Sequence, residues 1–134
     1  MTAQAAADPV AQVLKRANAA LGVAYRYGGN DLRQGLDCSG LVRYAFKHTP
    51  GVTLPRTARD MARYQAPPVK PGHLRPGDVL FFKLHSRQVD HVAIYMGEQR
   101  FVHAPHTGSR VRIERLNGYW SRHLTGARRL LSSR

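Results

Sequence analysis

The hydrophobic pattern of this chain changes from helical to strand-like across a proline-rich segment at residues 66–77. Before this segment apolar residues recur at helical spacing, and after it come short apolar runs at 78–83, 90–96, 100–104 and 111–116, with a further candidate strand at 127–131. The connections between these runs are too short for the crossovers that parallel strands require. The sequence therefore predicts an α+β fold whose sheet is antiparallel.

Three helices are predicted in the first half. The first has Asp8 as its N-cap, Pro9 at its first position and Gly22 as its stop. The second covers 38–48 and ends before a Pro-Gly pair. A third, shorter helix starts at Thr57 and carries Ala58, Met61, Ala62 and Gln65.

Length and cysteine content limit the architecture. A chain of 134 residues that is 43% hydrophobic fits one domain with a real core, which we place at 8–134 behind an N-terminal tail at 1–7. One cysteine excludes an intramolecular disulfide and a four-cysteine zinc site. No run reaches the roughly 18 apolar residues of a membrane-spanning helix.

The net charge of +13 suggests an anionic partner. Basic residues are spread from Lys15 to Arg134 in runs no longer than two, and no nucleic-acid-binding signature accompanies them, which argues against nucleic acid as the main partner. Residues 1–7 do not resemble an intact secretory signal, and a removed signal would leave the same appearance.

The cysteine, Cys38, lies at the predicted start of the second helix. Unpaired backbone N–H groups and the helix dipole stabilise a thiolate there, so we expect a pKa below that of a free thiol. A nucleophile is one interpretation, and a small buried core residue is the other.

Two histidines lie on consecutive strands of a predicted hairpin. If it closes through the odd-length loop 96–98, His91 pairs with His103 and their Cβ atoms lie about 4.5–5.5 Å apart. An even-length loop would place the two side chains on opposite faces. On one face, His91 could take the thiol proton and His103 could orient His91.

Structural and metal-binding roles remain alternatives for these side chains. Cys38, His91, His103 and His106 together could supply zinc ligands, although no close-spaced ligand pair supports a metal site. The thiol relay requires no cofactor, and none is expected.

Six short motifs, in the same order, resemble the NlpC family of papain-like cysteine peptidases. They are YRYGG at 25–29, DCSG at 37–40, LPRT at 54–57, LRPGD at 74–78, HVAIY at 91–95 and FVHA at 101–104. The resemblance implies a papain-like domain with N-terminal helices packed on a central antiparallel sheet. It also implies a murein endopeptidase that cuts stem peptides, typically between γ-D-glutamate and meso-diaminopimelate.

The resemblance also implies residue roles. Cys38 matches the nucleophile, His91 the base and His103 the third polar residue. Tyr25 matches a tyrosine of the oxyanion region, where its hydroxyl and the Cys38 backbone N–H would stabilise the tetrahedral intermediate. The residues matching the family's substrate-binding groups are Asp37, Ser39 and Arg56; Asp37 could equally be a helix N-cap, and Arg56 a solvated surface charge.

Two other functions remain open: an amidase or acyltransferase using the same relay on another substrate, and a non-catalytic basic module that binds cell wall or nucleic acid. We expect a monomer of the cell envelope, periplasmic or secreted, acting on stem peptides or muropeptides. Many family members carry separate wall-binding modules, for which this chain has no room. Attraction between its positive charge and an anionic wall polymer is the predicted substitute.

Overall fold

The computed structural model describes residues 8–131, so the predicted tail at 1–7 lies outside the described residues. The helices are α1 Pro9–Ala19, α2 Cys38–Phe46, α3 Ala58–Met61 and α4 Tyr119–His123, with a 3₁₀ turn at Pro71–His73. The strands are β1 Asn30–Asp31, β2 Gly35–Leu36, β3 Val79–Phe82, β4 His91–Gly97, β5 Arg100–His103, β6 Arg112–Arg115 and β7 Leu124–Arg128.

The central sheet has the strand order β6-β5-β4-β3-β7, and every neighbouring pair in it is antiparallel. A two-stranded antiparallel ribbon, β1-β2, precedes α2. The predicted α+β fold of helices packed on an antiparallel sheet is confirmed.

The first helix starts as its sequence predicts, although it ends at Ala19, before the predicted stop at Gly22. Asp8 caps α1 by accepting the backbone N–H of Val10 at 3.0 Å, and Pro9 occupies the first helical position, where no intrahelical N–H is needed. Val13 and Ala17 are fully buried on the inner face of the helix. The cap and the apolar stripe therefore dock α1 against the core.

The sheet separates two apolar layers because alternate residues of a strand face opposite sides. One face packs on the helices through Val92 and Ile94 of β4 together with Leu41 and Val42 of α2. The other face carries Leu80, Phe82, Ala93, Tyr95 and Phe101, and α4 covers part of it with Trp120.

Some predicted elements differ in extent from the structure, and other observed elements were not predicted. The last strand was expected at 127–131 but runs from Leu124 to Arg128, because α4 leads directly into it and aligns Leu124 with Phe82 of β3. The third helix was expected to carry Gln65 but ends at Met61. The β1-β2 ribbon and α4 were not predicted, since each is too short to show a periodic pattern.

The β4-β5 hairpin closes through a different loop from the predicted one. Its two-residue turn, Glu98-Gln99, has φ values of 56° and 61°, the backbone of a type I′ turn. Such an even-length loop alone would put His91 and His103 on opposite faces. A β-bulge at Met96, between the pairs Tyr95–Phe101 and Gly97–Arg100, adds one residue and returns them to the same face.

The predicted register itself is wrong. Ile94 lies opposite Val102, so Ala93 and not His91 occupies the position across from His103. The two histidines are diagonal neighbours, a spacing that aromatic side chains still bridge.

None of the helices within residues 8–131 is long and apolar enough to cross a bilayer.

Candidate active site

Cys38 is the first residue of α2, and the cap that precedes it holds it there. The Asp37 carboxylate accepts the backbone N–H of Gly40 at 2.7 Å through Oδ1 and that of Gly28 at 2.9 Å through Oδ2. The cap interpretation of Asp37 is therefore confirmed. On the sheet side, the backbone N–H of Val92 interacts with the thiol, so Cys38 lies against β4 at the residue that follows His91.

The thiol pKa differs from the expectation. Burial of the thiol raises the pKa of Cys38 to about 11, although the N–H groups of Val92, Ser39 and Cys38 act in the opposite direction. The predicted lowering by the helix start is therefore wrong for the free protein, because loss of hydration outweighs the backbone donors. The resting group is a neutral thiol that needs a base to become a nucleophile.

The two histidines form a direct hydrogen bond. His91 Nε2 lies 2.8 Å from His103 Nδ1, and the two residues are 2% and 0% exposed. Trp120 packs edge-on against His103 with a ring-centroid distance of 4.8 Å, and its ring lies 5.8 Å from that of His91. The predicted same-face placement of the two histidines is confirmed.

Glu114 of β6 extends this pair and was missed in the sequence. Its Oε2 lies 2.9 Å from His103 Nε2 and accepts the Arg112 Nε–H at 2.9 Å, while its Oε1 accepts the Trp120 indole N–H at 3.1 Å. The available signal was an isolated acid in an otherwise basic and apolar strand, VRIERL. Its relation to His103 depends on the pairing of β6 with β5, which no local pattern specifies.

Both imidazoles are neutral at physiological pH. Burial lowers the pKa of His91 to about 3, with His103 as a further cause. Burial lowers the pKa of His103 to about 4, although Glu114 raises it in part. The resting site thus combines a neutral thiol with neutral imidazoles, as expected for a base that receives a proton only during the reaction.

Tyr25 lies within electrostatic range of the thiol. Burial is the largest cause that raises the pKa of its phenol, followed by the nearby Cys38 and Asp37. Its backbone forms an isolated parallel bridge with Leu36, immediately before the cap residue. Tyr25 therefore keeps its hydroxyl proton and can donate a hydrogen bond.

Asp37, Ser39 and Arg56 form one connected cluster. Arg56 Nη1 donates to Ser39 Oγ at 2.7 Å and to Asp37 Oδ1 at 3.1 Å, and Nη2 donates to Asp37 Oδ2 at 3.0 Å. The Arg56 side chain is 35% exposed and that of Asp37 is 12%. Arg56 is therefore the accessible member of the cluster, and the other two anchor it.

Two arrangements considered from the sequence, a thiol–imidazole hydrogen bond and a cluster of zinc ligands, are not formed among the described residues. Within residues 8–131 no hydrogen bond joins the Cys38 thiol to either imidazole, and His106 bonds Thr107 O of its own loop at 2.9 Å. Both ring nitrogens of His103 are engaged, by His91 and by Glu114. No group of three or more His, Cys, Asp or Glu side chains in the described part of the chain is arranged to hold a metal ion.

Acidification is expected to destabilise the protein through the two buried histidines. Below pH 6.5 the unfolded chain protonates both, whereas the folded protein does not until about pH 4 for His103 and about pH 3 for His91. The unfolded state then binds more protons, so stability present above pH 6.5 is lost as the pH falls. Urea unfolding at pH 7 and pH 5 should differ by about 2–4 kcal/mol.

His103→Gln removes one of these titrating groups and should reduce that pH-dependent loss by roughly half. His48→Gln, a change at an exposed position, should leave it unaltered. Equal pH dependence in all three proteins would contradict the assignment.

Comparison with known proteins relates this geometry to a family. Residues 22–129 match the model of the NlpC/P60 family. The chain is 42% identical over 115 residues to the Escherichia coli protein named murein DD-endopeptidase MepH, covering 84% of this chain and 42% of MepH. It is 37% identical over 129 residues to the gamma-DL-glutamyl hydrolase of Bacillus subtilis, covering 92% of this chain and 31% of that protein.

A solved structure agrees with the fold. The crystal structure of an NlpC/P60 family protein from Bacillus cereus superposes with a TM-score of 0.82 at 31% identity, covering 92% of this chain and 40% of that one. This chain spans less than half the length of each of these three proteins. The family match nevertheless covers most of the chain and includes the cysteine, both histidines and the cap cluster, and the protein belongs to the NlpC/P60 family.

Proposed function

We propose that this protein is a peptidoglycan hydrolase, a cysteine endopeptidase that cleaves murein stem peptides. The observation that carries the proposal is the position of Cys38, which starts α2 against the β4 backbone at Val92, the residue that follows His91 of the hydrogen-bonded histidine pair. The name of the MepH relative, a murein DD-endopeptidase, supports peptidoglycan as the substrate. The bond we expect to be cut is that between γ-D-glutamate and meso-diaminopimelate.

Our mechanism uses His91 as the base. Its Nε2 is engaged by His103, which leaves Nδ1 to take the thiol proton as Sγ attacks the scissile carbonyl carbon. Collapse of the tetrahedral intermediate breaks the C–N bond, and the imidazolium returns its proton to the leaving amine. Water, deprotonated by His91, then hydrolyses the thioester and regenerates the thiol.

Tyr25 and the Cys38 backbone N–H are proposed to stabilise the oxyanion. The phenol stays protonated near the thiol, and the first N–H groups of a helix have no intrahelical acceptors, so both can donate to the developing negative charge. Losing one such donor typically costs about 10²–10³ in kcat.

Substrate recognition is proposed for the cluster of Asp37, Ser39 and Arg56. The partly exposed Arg56 side chain fits a stem-peptide carboxylate or carbonyl oxygen, while Asp37 and Ser39 hold it in a fixed orientation. Because this cluster is tied to the cap of α2, a substrate bound to Arg56 would be positioned directly relative to Cys38.

The names of the relatives favour two further bonds as candidates. The DD-endopeptidase name suggests the cross-link between two stem peptides, and the gamma-DL-glutamyl hydrolase name suggests a γ-linked glutamyl bond. Amidase or acyltransferase chemistry would use the same relay. A non-catalytic basic module that binds wall or nucleic acid remains the alternative outside catalysis.

Defined substrates decide between these functions. The protein is incubated with a monomeric stem peptide, a cross-linked muropeptide dimer and poly-γ-glutamate, and the products are weighed by mass spectrometry. We expect the γ-D-glutamyl bond of the monomer to be cut. Cleavage of only the dimer or only poly-γ-glutamate would move the assignment to that bond, and intact substrates in all three reactions would contradict the proposal.

We propose that the protein acts in the cell envelope, outside the cytoplasm. There, attraction between its positive charge and an anionic wall polymer would provide a second contact with the wall. With a net charge of +13, binding to purified sacculi should weaken steeply between low and high salt, because ions screen such attraction over about 10 Å at 0.1 M. The measurement is co-sedimentation of a Cys38→Ala variant over a salt series. Salt-independent binding would contradict the electrostatic account.

A further inference from the structure

The two histidines and Glu114 form a continuous hydrogen-bonded chain through the sheet. His91 Nε2 lies 2.8 Å from His103 Nδ1, and His103 Nε2 lies 2.9 Å from Glu114 Oε2. The chain thus crosses three neighbouring strands, β4, β5 and β6. The direction in which the hydrogen bonds are donated along this chain depends on which ring nitrogens carry the protons.

We propose that Glu114 is a positioning residue that sets the ring-proton positions of both histidines, so that the Nδ1 lone pair of His91 is free to accept the thiol proton. The catalytic part of this inference rests on the proposed function. The placement of the protons is a property of the free protein.

The proton positions follow from the acceptor at the end of the chain. An ionised carboxylate only accepts hydrogen bonds, so His103 must carry its proton on Nε2 and donate it to Glu114. A neutral imidazole has one N–H, so His103 Nδ1 is then an acceptor, and His91 must donate to it from Nε2. This leaves Nδ1 of His91 unprotonated.

Glu114 is held in its ionised form by its other partners. Arg112 donates its Nε–H to the same oxygen that accepts from His103, and the Trp120 indole N–H donates to Oε1 at 3.1 Å. Burial raises the pKa of the Glu114 carboxyl, but the hydrogen bonds and charges of His103 and Arg112 lower it by more, so the net shift is downward. Both oxygens therefore face donors only, and the order of protons along the chain cannot reverse.

Without the carboxylate, a second arrangement of the ring protons on the two imidazoles would have a similar energy. His103 could carry its proton on Nδ1 and donate to His91 Nε2, which would place the remaining proton of His91 on Nδ1. A ring nitrogen that already carries a proton cannot accept one from the thiol. Glu114 would also stabilise the positive charge that appears on His91 during attack, transmitted through His103.

The first test is a histidine two-bond ¹H–¹⁵N correlation spectrum of the free wild-type protein at pH 7, with signals assigned from His91→Gln and His103→Gln. We expect both rings to carry their proton on Nε2. A wild-type His103 or His91 protonated on Nδ1 overturns the proposal. This measurement needs no substrate, so it stands even if the proposed activity fails.

The second test is Glu114→Gln. In one orientation the new amide keeps its oxygen on His103 but sets its NH2 against the Trp120 indole N–H. In the other it presents an N–H to His103 Nε2, which must then accept, so we expect a signal from Nδ1-protonated histidine to appear. With the stem peptide, kcat should fall about ten- to hundredfold, the change expected for losing one charge-assisted hydrogen bond, while KM stays within about twofold. Wild-type spectra together with wild-type kcat would overturn the proposal.

Glu98→Gln is the matched control. Glu98 is on the turn of the β4-β5 hairpin, has a side chain that is 87% exposed, and within residues 8–131 forms an ion pair only with Arg100, at 3.6 Å. This change removes the same unit of negative charge at a position away from the histidines. It should leave the spectrum and kcat as in wild type, and a loss equal to that of Glu114→Gln would assign the effect to net charge and overturn the proposal.

Discussion

Replacement of Cys38 with alanine is expected to lower kcat for stem-peptide hydrolysis by about four orders of magnitude or more. The reaction proposed here forms a thioester on Sγ, and no other thiol exists in the chain to replace it. Because Cys38 packs at the edge of the helical core and its thiol forms no side-chain hydrogen bond in the described structure, the alanine variant should fold. Product mass analysis on the defined substrates measures the loss.

The single cysteine offers an independent control. Iodoacetamide should add one carboxamidomethyl group to wild type and abolish its activity, while Cys38→Ala should gain no mass. Binding of the alanine variant to sacculi should be preserved, since the charge is unchanged. Lytic activity retained in Cys38→Ala would exclude the thioester mechanism, and wild-type binding without hydrolysis would favour the non-catalytic wall-binding module.

Gly40→Ala is expected to give the largest loss of stability among single-methyl additions near the site. A Cβ at position 40 would lie 2.1 Å from Gly29 O and 2.9 Å from Asp37 Oδ1. Both atoms belong to the packed cap of α2 and cannot move aside as a flexible side-chain end would. We expect a loss of about 3 kcal/mol or more in the free energy of unfolding, at the upper end of overpacking effects.

The same change should displace the nucleophile. Separating α2 from residue 29 alters the cap that holds Asp37 and Arg56, so kcat should fall even in the folded fraction. Gly72→Ala is the control, because a Cβ there meets no atom within 4 Å. Urea unfolding of the two variants measures the difference, and equal stability would contradict the close contact.

The cap of α2 shows how far local sequence reasoning extends. An aspartate before an apolar helical pattern predicts an N-cap, and the structure agrees. The pKa of Cys38 did not follow from the same local picture. The helix start supplies stabilising N–H groups, but burial depends on what packs over the thiol, and burial has the larger effect.

The histidine hairpin shows the opposite case. Alternation placed His91 and His103 correctly on one face, yet the register behind that prediction was wrong, because a two-residue turn and a bulge at Met96 replaced the assumed odd-length loop. The two-residue turn alone would have placed the histidines on opposite faces, and the bulge returned them to one face. Local residue preferences do not determine where a bulge forms, since its stability comes from the packing of both strands.

The sequence by itself determined the α+β class, the helix caps, the single available thiol and the family motifs, because these depend on residue type and short spacing. Only the tertiary structure decided that Glu114 and Trp120 complete the histidine chain, that Arg56 is anchored on Asp37 and Ser39, and that the resting thiol is neutral. Each of these depends on contacts between distant segments and on the water that those contacts exclude. Pairing of β6 with β5 brings an acid eleven positions away onto His103.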